Sequence, residues 1–81
     1  DKILLIEPSA TLRHILGKSL REHDFHFTEA TTHQMGLETL SQPHDFRGVM
    51  LGWSGRTSLI TQQILEFLTS PRGKSLPTVF L

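Results

Sequence analysis

Short apolar runs alternate along this chain with segments in which apolar residues recur every three or four positions. Residues 3–6 are four successive apolar residues, which is typical of a strand covered on both faces of a parallel sheet. From residue 10 to about residue 23, the apolar spacing of three, one and four predicts a helix. The residues that share its apolar face are Leu12, Ile15, Leu16 and Leu20.

The same alternation continues to the end of the chain. Further strands are predicted at residues 25–30, 48–52 and 78–81, and further helices at residues 33–42 and 59–68. Ser9 and the Thr31-Thr32 pair are suited to cap the first two helices, since their hydroxyl oxygens can accept free backbone N–H groups. Regular alternation of strands and helices predicts an α/β fold with a parallel sheet and helices on both of its faces.

Composition narrows the possible classes of protein. The 81 residues suffice for one small domain, and the formal net charge of zero gives no reason to expect a nucleic acid or a membrane surface as partner. The chain has no cysteine, which excludes a disulfide framework and thiol chemistry. No apolar run approaches the roughly 20 residues that span a bilayer. We therefore expect a soluble, cytoplasmic domain.

Four segments in sequence order resemble the receiver domain of response regulators. They are Ile-Leu-Leu-Ile-Glu-Pro-Ser at 3–9, Thr-Glu-Ala at 28–30, Val-Met-Leu-Gly-Trp at 49–53 and Leu-Pro-Thr-Val-Phe-Leu at 76–81. The resemblance covers residues 1–81 and implies a flavodoxin-like (CheY-like) doubly wound parallel sheet with strand order 2-1-3-4. Because the family fold has five strands, we expect this receiver-like domain to be a fragment of a longer multidomain signalling protein.

The resemblance also identifies the positions at which phosphotransfer chemistry would occur. Gly52 stands where the family has its phosphorylated aspartate, and Glu7 and Pro8 stand where it has two metal-binding acids. Glycine offers no nucleophile, and a single carboxylate is a poor site for Mg²⁺, which takes about six oxygen ligands. We therefore expect no enzyme activity and weak or absent Mg²⁺ binding. Without partners, Glu7 is expected to be a solvated acid at a strand end.

These positions suggest a non-phosphorylatable receiver-like module of a two-component or phosphorelay regulator. It would act through protein–protein contact or dimerisation to control an attached output domain. The alternative is a small-ligand or nucleotide sensor that uses the vacated pocket, with Trp53, Ser54 and Arg56 as possible ligand or interface residues. Two further hypotheses rank lower: Ser54 as a substitute phosphoacceptor, and a flavodoxin-like domain unrelated to receivers.

The histidines offer weaker signals. His23, Asp24 and His26 lie close together where the first helix meets the second strand. Zinc needs about four convergent ligands, so we expect these three residues to form a solvated turn. His14 lies outside the apolar face of the first helix and is expected to be exposed.

Overall fold

The computed structural model describes residues 2–52, 59–70 and 76–81. Within them, strands and helices alternate as the sequence predicted, and the fold is α/β. The elements are β1 (Lys2–Ile6), α1 (Ala10–Glu22), β2 (His26–Ala30), α2 (His33–Ser41), β3 (Gly48–Leu51), α3 (Leu59–Thr69) and β4 (Thr78–Phe80).

The strands form one parallel sheet in the order β2-β1-β3-β4. In its register, Leu5 of β1 pairs with Glu29 on one side and with Met50 on the other, and Met50 pairs in turn with Val79. The predicted doubly wound order 2-1-3-4 is confirmed, as a four-strand part of a flavodoxin-like fold. Because all strands run in one direction, their carboxyl ends meet at one edge of the sheet.

Side-chain caps explain where two of the helices begin. The hydroxyl of Ser9 accepts a hydrogen bond from the backbone N–H of Leu12 at 3.3 Å, and α1 starts at the next residue. The hydroxyl of Thr32 accepts from the N–H of Met35 at 3.0 Å, and α2 starts directly after it. Each cap satisfies a donor that the first helical turn leaves without a partner.

The main core lies between the sheet and the pair α2 and α3. Gly36 brings α2 close to the sheet, because a Cβ added there would lie 2.8 Å from Cγ1 of Ile6. The core residues share almost complete burial: Leu4, Ile6, Ala30, Leu40, Val49, Leu51, Ile64 and Leu68.

Helix α1 covers the opposite face, which carries Phe27 of β2. Gly17 is buried in α1, and a Cβ there would lie 2.7 Å from the Phe27 ring, so glycine permits close packing at this point. The apolar face that predicted α1 is only partly covered, since Leu12 is 45% exposed and Ile15 is 55% exposed. Helices therefore lie on both faces, but the α1 face retains accessible apolar surface.

Candidate functional site

The carboxyl ends of the two inner strands bring Glu7 and Gly52 together. The backbone N–H of Gly52 donates to the carbonyl of Ile6 at 2.6 Å, and the N–H of Glu7 donates to the carbonyl of Ala30 at 3.1 Å. Open α/β sheets bind ligands outside this edge, so the two residues lie where a site is expected.

The side chain of Glu7 fills the space beside Gly52. A Cβ added at Gly52 would lie 2.5 Å from the Cδ of Glu7 and 2.7 Å from its Oε2, which is closer than real contacts allow. Glu7 is only 6% exposed, and its Oε2 accepts a hydrogen bond from the N–H of Ser9 at 3.1 Å. The expectation that Glu7 is a solvated acid is therefore wrong: Gly52 leaves room for its carboxyl group, and Ser9 supplies a donor.

Arg13 of α1 fixes the backbone that carries this carboxyl group. Its Nη1 donates to the carbonyl of Glu7 at 2.7 Å and to the carbonyl of Pro8 at 3.0 Å. Both are charge-assisted hydrogen bonds, which are stronger than those between neutral groups. Pro8, whose ring is exposed, therefore contributes its backbone oxygen to the site's support rather than a side-chain ligand.

His33, the first residue of α2, contacts both the end of β3 and helix α3. Its Nε2 lies 2.7 Å from the carbonyl oxygen of Gly52, and its Nδ1 lies 2.8 Å from Oγ1 of Thr61 in α3. Because a carbonyl oxygen only accepts, Nε2 carries the hydrogen, and in the neutral ring Nδ1 accepts from the Thr61 hydroxyl. His33 thus ties α2 to the end of β3 and to α3.

Sequence reasoning did not identify His33. The available signal was its position directly after the Thr32 cap, at the helix start that follows β2. Starts of helices after parallel strands lie at the same edge as Glu7 and Gly52. The sequence could therefore have placed His33 near the site, although not its partners.

Other predicted candidates lie elsewhere. His14, His23, Asp24 and His26 are all exposed, and the ring of His23 contacts the carbonyl of Ser19 at 2.9 Å. Among residues 2–52, 59–70 and 76–81, no group of three or more His, Asp or Glu side chains is arranged to hold a metal ion. The possible ligand or interface residues Trp53, Ser54 and Arg56 lie outside the described residues.

An exposed ion pair lies at the amino ends of the strands, opposite the carboxyl ends where Glu7 and Gly52 meet. Nζ of Lys2 lies 3.2 Å from a carboxylate oxygen of Asp45 and 5.6 Å from the centre of the Phe46 ring. The hydrogen bond from Lys2, together with its positive charge, lowers the pKa of Asp45 below the ordinary 3.8. This pair joins the start of β1 to the segment before β3.

Comparisons with known proteins inform the fold alone. No family model and no curated protein matches the chain. A solved structure described as a yeast Spc42 trimeric coiled coil fused to another structure aligns with a TM-score of 0.73 and 18% sequence identity. The alignment covers 99% of this chain and 52% of that one, so this chain spans about half the length of that structure.

None of the helices in the described parts of the chain is both long enough and apolar enough to cross a membrane.

Proposed function

We propose that this chain is a receiver-like signalling module that cannot accept phosphate at residue 52 and acts through protein–protein contact. One observation carries the proposal. At the carboxyl end of β3, where the receiver resemblance places the phosphoacceptor, Gly52 has no side chain and the Glu7 carboxyl group takes up the adjoining space.

Phosphotransfer of the receiver kind needs a carboxylate nucleophile and a divalent cation that neutralises the incoming phosphoryl group. Gly52 supplies no nucleophile. Glu7 is a single carboxyl group that is already hydrogen-bonded to the N–H of Ser9. These features support a module without phosphotransfer activity at this site.

Accessible apolar side chains support a role in protein contact. On α1, Leu12 and Ile15 are 45% and 55% exposed, and on β4, Val79 and Phe80 are 54% and 55% exposed. Exposed apolar surface of this kind favours contact with another protein surface. The proposed partners are an attached output domain or a second copy of the chain, in a two-component or phosphorelay regulator located in the cytoplasm.

The position of Glu7 favours this function over the alternative of a small-ligand sensor. A ligand seated beside Gly52 would have to displace a buried carboxyl group that has a hydrogen-bond donor of its own. Contact through α1 or β4 requires no such displacement.

Intact mass measurement tests the proposal that the chain does not accept phosphate. The protein is incubated with acetyl phosphate and Mg²⁺, with a phosphorylatable receiver treated in parallel to show that the reagent is active. We expect no added phosphoryl group on this chain. A metal-dependent adduct of one phosphoryl group would refute the proposal.

Light scattering over a range of protein concentrations tests whether the chain binds a second copy of itself. Ile15→Asp places a charge on the exposed face of α1, and Gln63→Asp places the same charge at an exposed position of α3. We expect the wild type to associate, Ile15→Asp to weaken association, and Gln63→Asp to leave it unchanged. A wild type that is monomeric at every concentration would refute dimerisation.

A further inference from the structure

Basic side chains lie next to one another at the amino ends of three neighbouring strands. Lys2, the first residue of β1, pairs in the sheet register with His26, the first residue of β2. On the other side of β1, the backbone N–H of Arg47, directly before β3, donates to the carbonyl of Lys2 at 2.7 Å. The strand order β2-β1-β3 therefore brings His26, Lys2 and Arg47 together, and we call these three residues the basic row.

The basic row lines one open cavity. This cavity has a volume of about 340 Å³ and is lined by Lys2, His26, Asp45 and Arg47. The volume is within the range of roughly 300–1,000 Å³ that is typical of sites for small ligands. Every lining side chain is charged or can carry a charge, so the cavity suits a small charged ligand better than an apolar one.

The charges at the cavity favour an anion as that ligand. Among the lining residues only Asp45 is an acid, and its carboxylate is paired with Lys2 at 3.2 Å. Neither the guanidinium of Arg47 nor the ring of His26 has a hydrogen-bond partner within the part of the chain that the structure describes. Lys2 and Arg47 carry like charges, which repel each other. An anion bound between them would relieve this repulsion and would accept the unused N–H groups.

The donors of the basic row suit a phosphate group. The planar guanidinium of Arg47 presents N–H groups that can donate to two oxygens of one oxyanion. Lys2 contributes an ammonium group, and the ring of His26 contributes an N–H donor. Three such side chains match a single phosphate group, whereas proteins that bind a nucleic acid backbone contact many phosphates.

We propose that the basic row is a binding site for a phosphate monoester dianion. The site lies at the edge of the sheet opposite Glu7 and Gly52, and it transfers no phosphoryl group. A phosphorylated ligand is held there by charge and hydrogen bonds alone. The proposal goes beyond the proposed function and does not depend on it.

Backbone amide shifts in ¹H–¹⁵N NMR spectra test the site, with inorganic phosphate as the probe. Sodium chloride at equal ionic strength and pH is the control. Phosphate should cause saturable shifts at the basic row and at Asp45, with a dissociation constant in the millimolar range because these side chains are exposed. Shifts that do not saturate, or equal shifts in chloride, overturn the proposal.

Charge reversal tests whether the basic row itself binds the phosphate. Arg47→Glu should abolish the saturable shifts, because it replaces a donor by a carboxylate that repels the anion. Lys18→Glu makes a comparable change at an exposed position of α1 and should leave the dissociation constant within about twofold of the wild type. Equal binding of phosphate by these two variants would show that the site lies elsewhere and overturn the proposal.

Removal of the acid at the cavity should have the opposite effect. Asp45→Asn releases Lys2 from its ion pair and leaves no acid among the lining residues. Phosphate should therefore bind roughly twofold to fivefold more tightly to this variant than to the wild type. Binding that is unchanged or weaker in Asp45→Asn contradicts the charge argument on which the proposal rests.

Glycerol 3-phosphate, a monoester with an uncharged organic group, distinguishes a monoester from free phosphate as the ligand. It should bind with a lower dissociation constant than inorganic phosphate, because the cavity has room for the organic group beside the phosphate. Equal or weaker binding would overturn the assignment of a monoester. None of these measurements involves residue 52, so a failure to bind phosphate leaves the proposed function standing.

Discussion

Replacing His33 by alanine tests whether the link beneath the site holds α2, β3 and α3 together. The substitution removes two hydrogen bonds, from Nε2 to the carbonyl of Gly52 at 2.7 Å and between Nδ1 and the hydroxyl of Thr61 at 2.8 Å. Both partners lie in the interior, since Thr61 is 2% exposed and Gly52 is buried.

The expected loss follows from these two contacts. A net contribution of about 1 kcal/mol for each hydrogen bond gives a destabilisation of about 2 kcal/mol. In a domain of this size, this corresponds to a fall in melting temperature of roughly 8–16 °C. Alanine favours helix slightly more than histidine does, so part of the loss is offset by a few tenths of a kcal/mol.

Urea unfolding followed by circular dichroism at 222 nm measures the free energy of unfolding. His14→Ala is the matched control, because it makes the same change at an exposed helical position in α1. The His33→Ala variant should lose stability with an unchanged slope against urea, while His14→Ala should stay within about 0.5 kcal/mol of the wild type. If the two variants were equally stable, the structural role assigned to His33 would be wrong.

Three further outcomes are expected. Gly36→Ala should destabilise the fold by about 1–3 kcal/mol in urea unfolding, because the added methyl group would collide with the buried Ile6; a more stable variant would contradict this packing. Leu40→Ala should cost about 2–5 kcal/mol in the same assay, since its side chain is only 1% exposed in the core, and a loss below 1 kcal/mol would contradict that burial. Lys2→Met should raise the pKa of Asp45 in an NMR titration, because Lys2 holds that pKa below 3.8; an unchanged pKa would refute the ion pair. The lowered pKa means that the pair stabilises the fold above pH 3.8 and that this contribution is lost as the pH falls through the folded-state pKa.

The order and type of the elements could be read from the sequence because their causes are local. Apolar runs and periodicities mark strands and helices, and the caps at Ser9 and Thr32 act within three residues of themselves. The strand order also followed, through the receiver resemblance, and it is confirmed. The periodicity of α1 predicted a helix correctly, but it could not determine how much of Leu12 or Ile15 would be covered.

The geometry of the site could not be read in the same way, because it depends on residues that are distant in sequence. Glu7 was expected in water because no second acid lies nearby to form an acid–base pair with it, and its burial depends on the absence of a side chain at Gly52. The role of His33 depends on both Gly52 and Thr61, which the sheet and α3 bring within hydrogen-bond distance. Such three-element contacts leave no periodic signal in a single sequence.

The strand order β2-β1-β3-β4 has a consequence for how the chain folds during synthesis. Strand β1 is made before β2 and β3 and lies between them in the sheet, and its partner on one side, β3, begins only at Gly48. A parallel partner cannot arrive through a tight turn, so after β2 has paired, one edge of β1 stays open while the ribosome adds residues 31–47. During that interval the apolar run at residues 3–6 can pair with a neighbouring nascent chain. We therefore expect the yield of soluble protein to fall when translation of residues 31–47 is slow and when nascent chains lie close to one another.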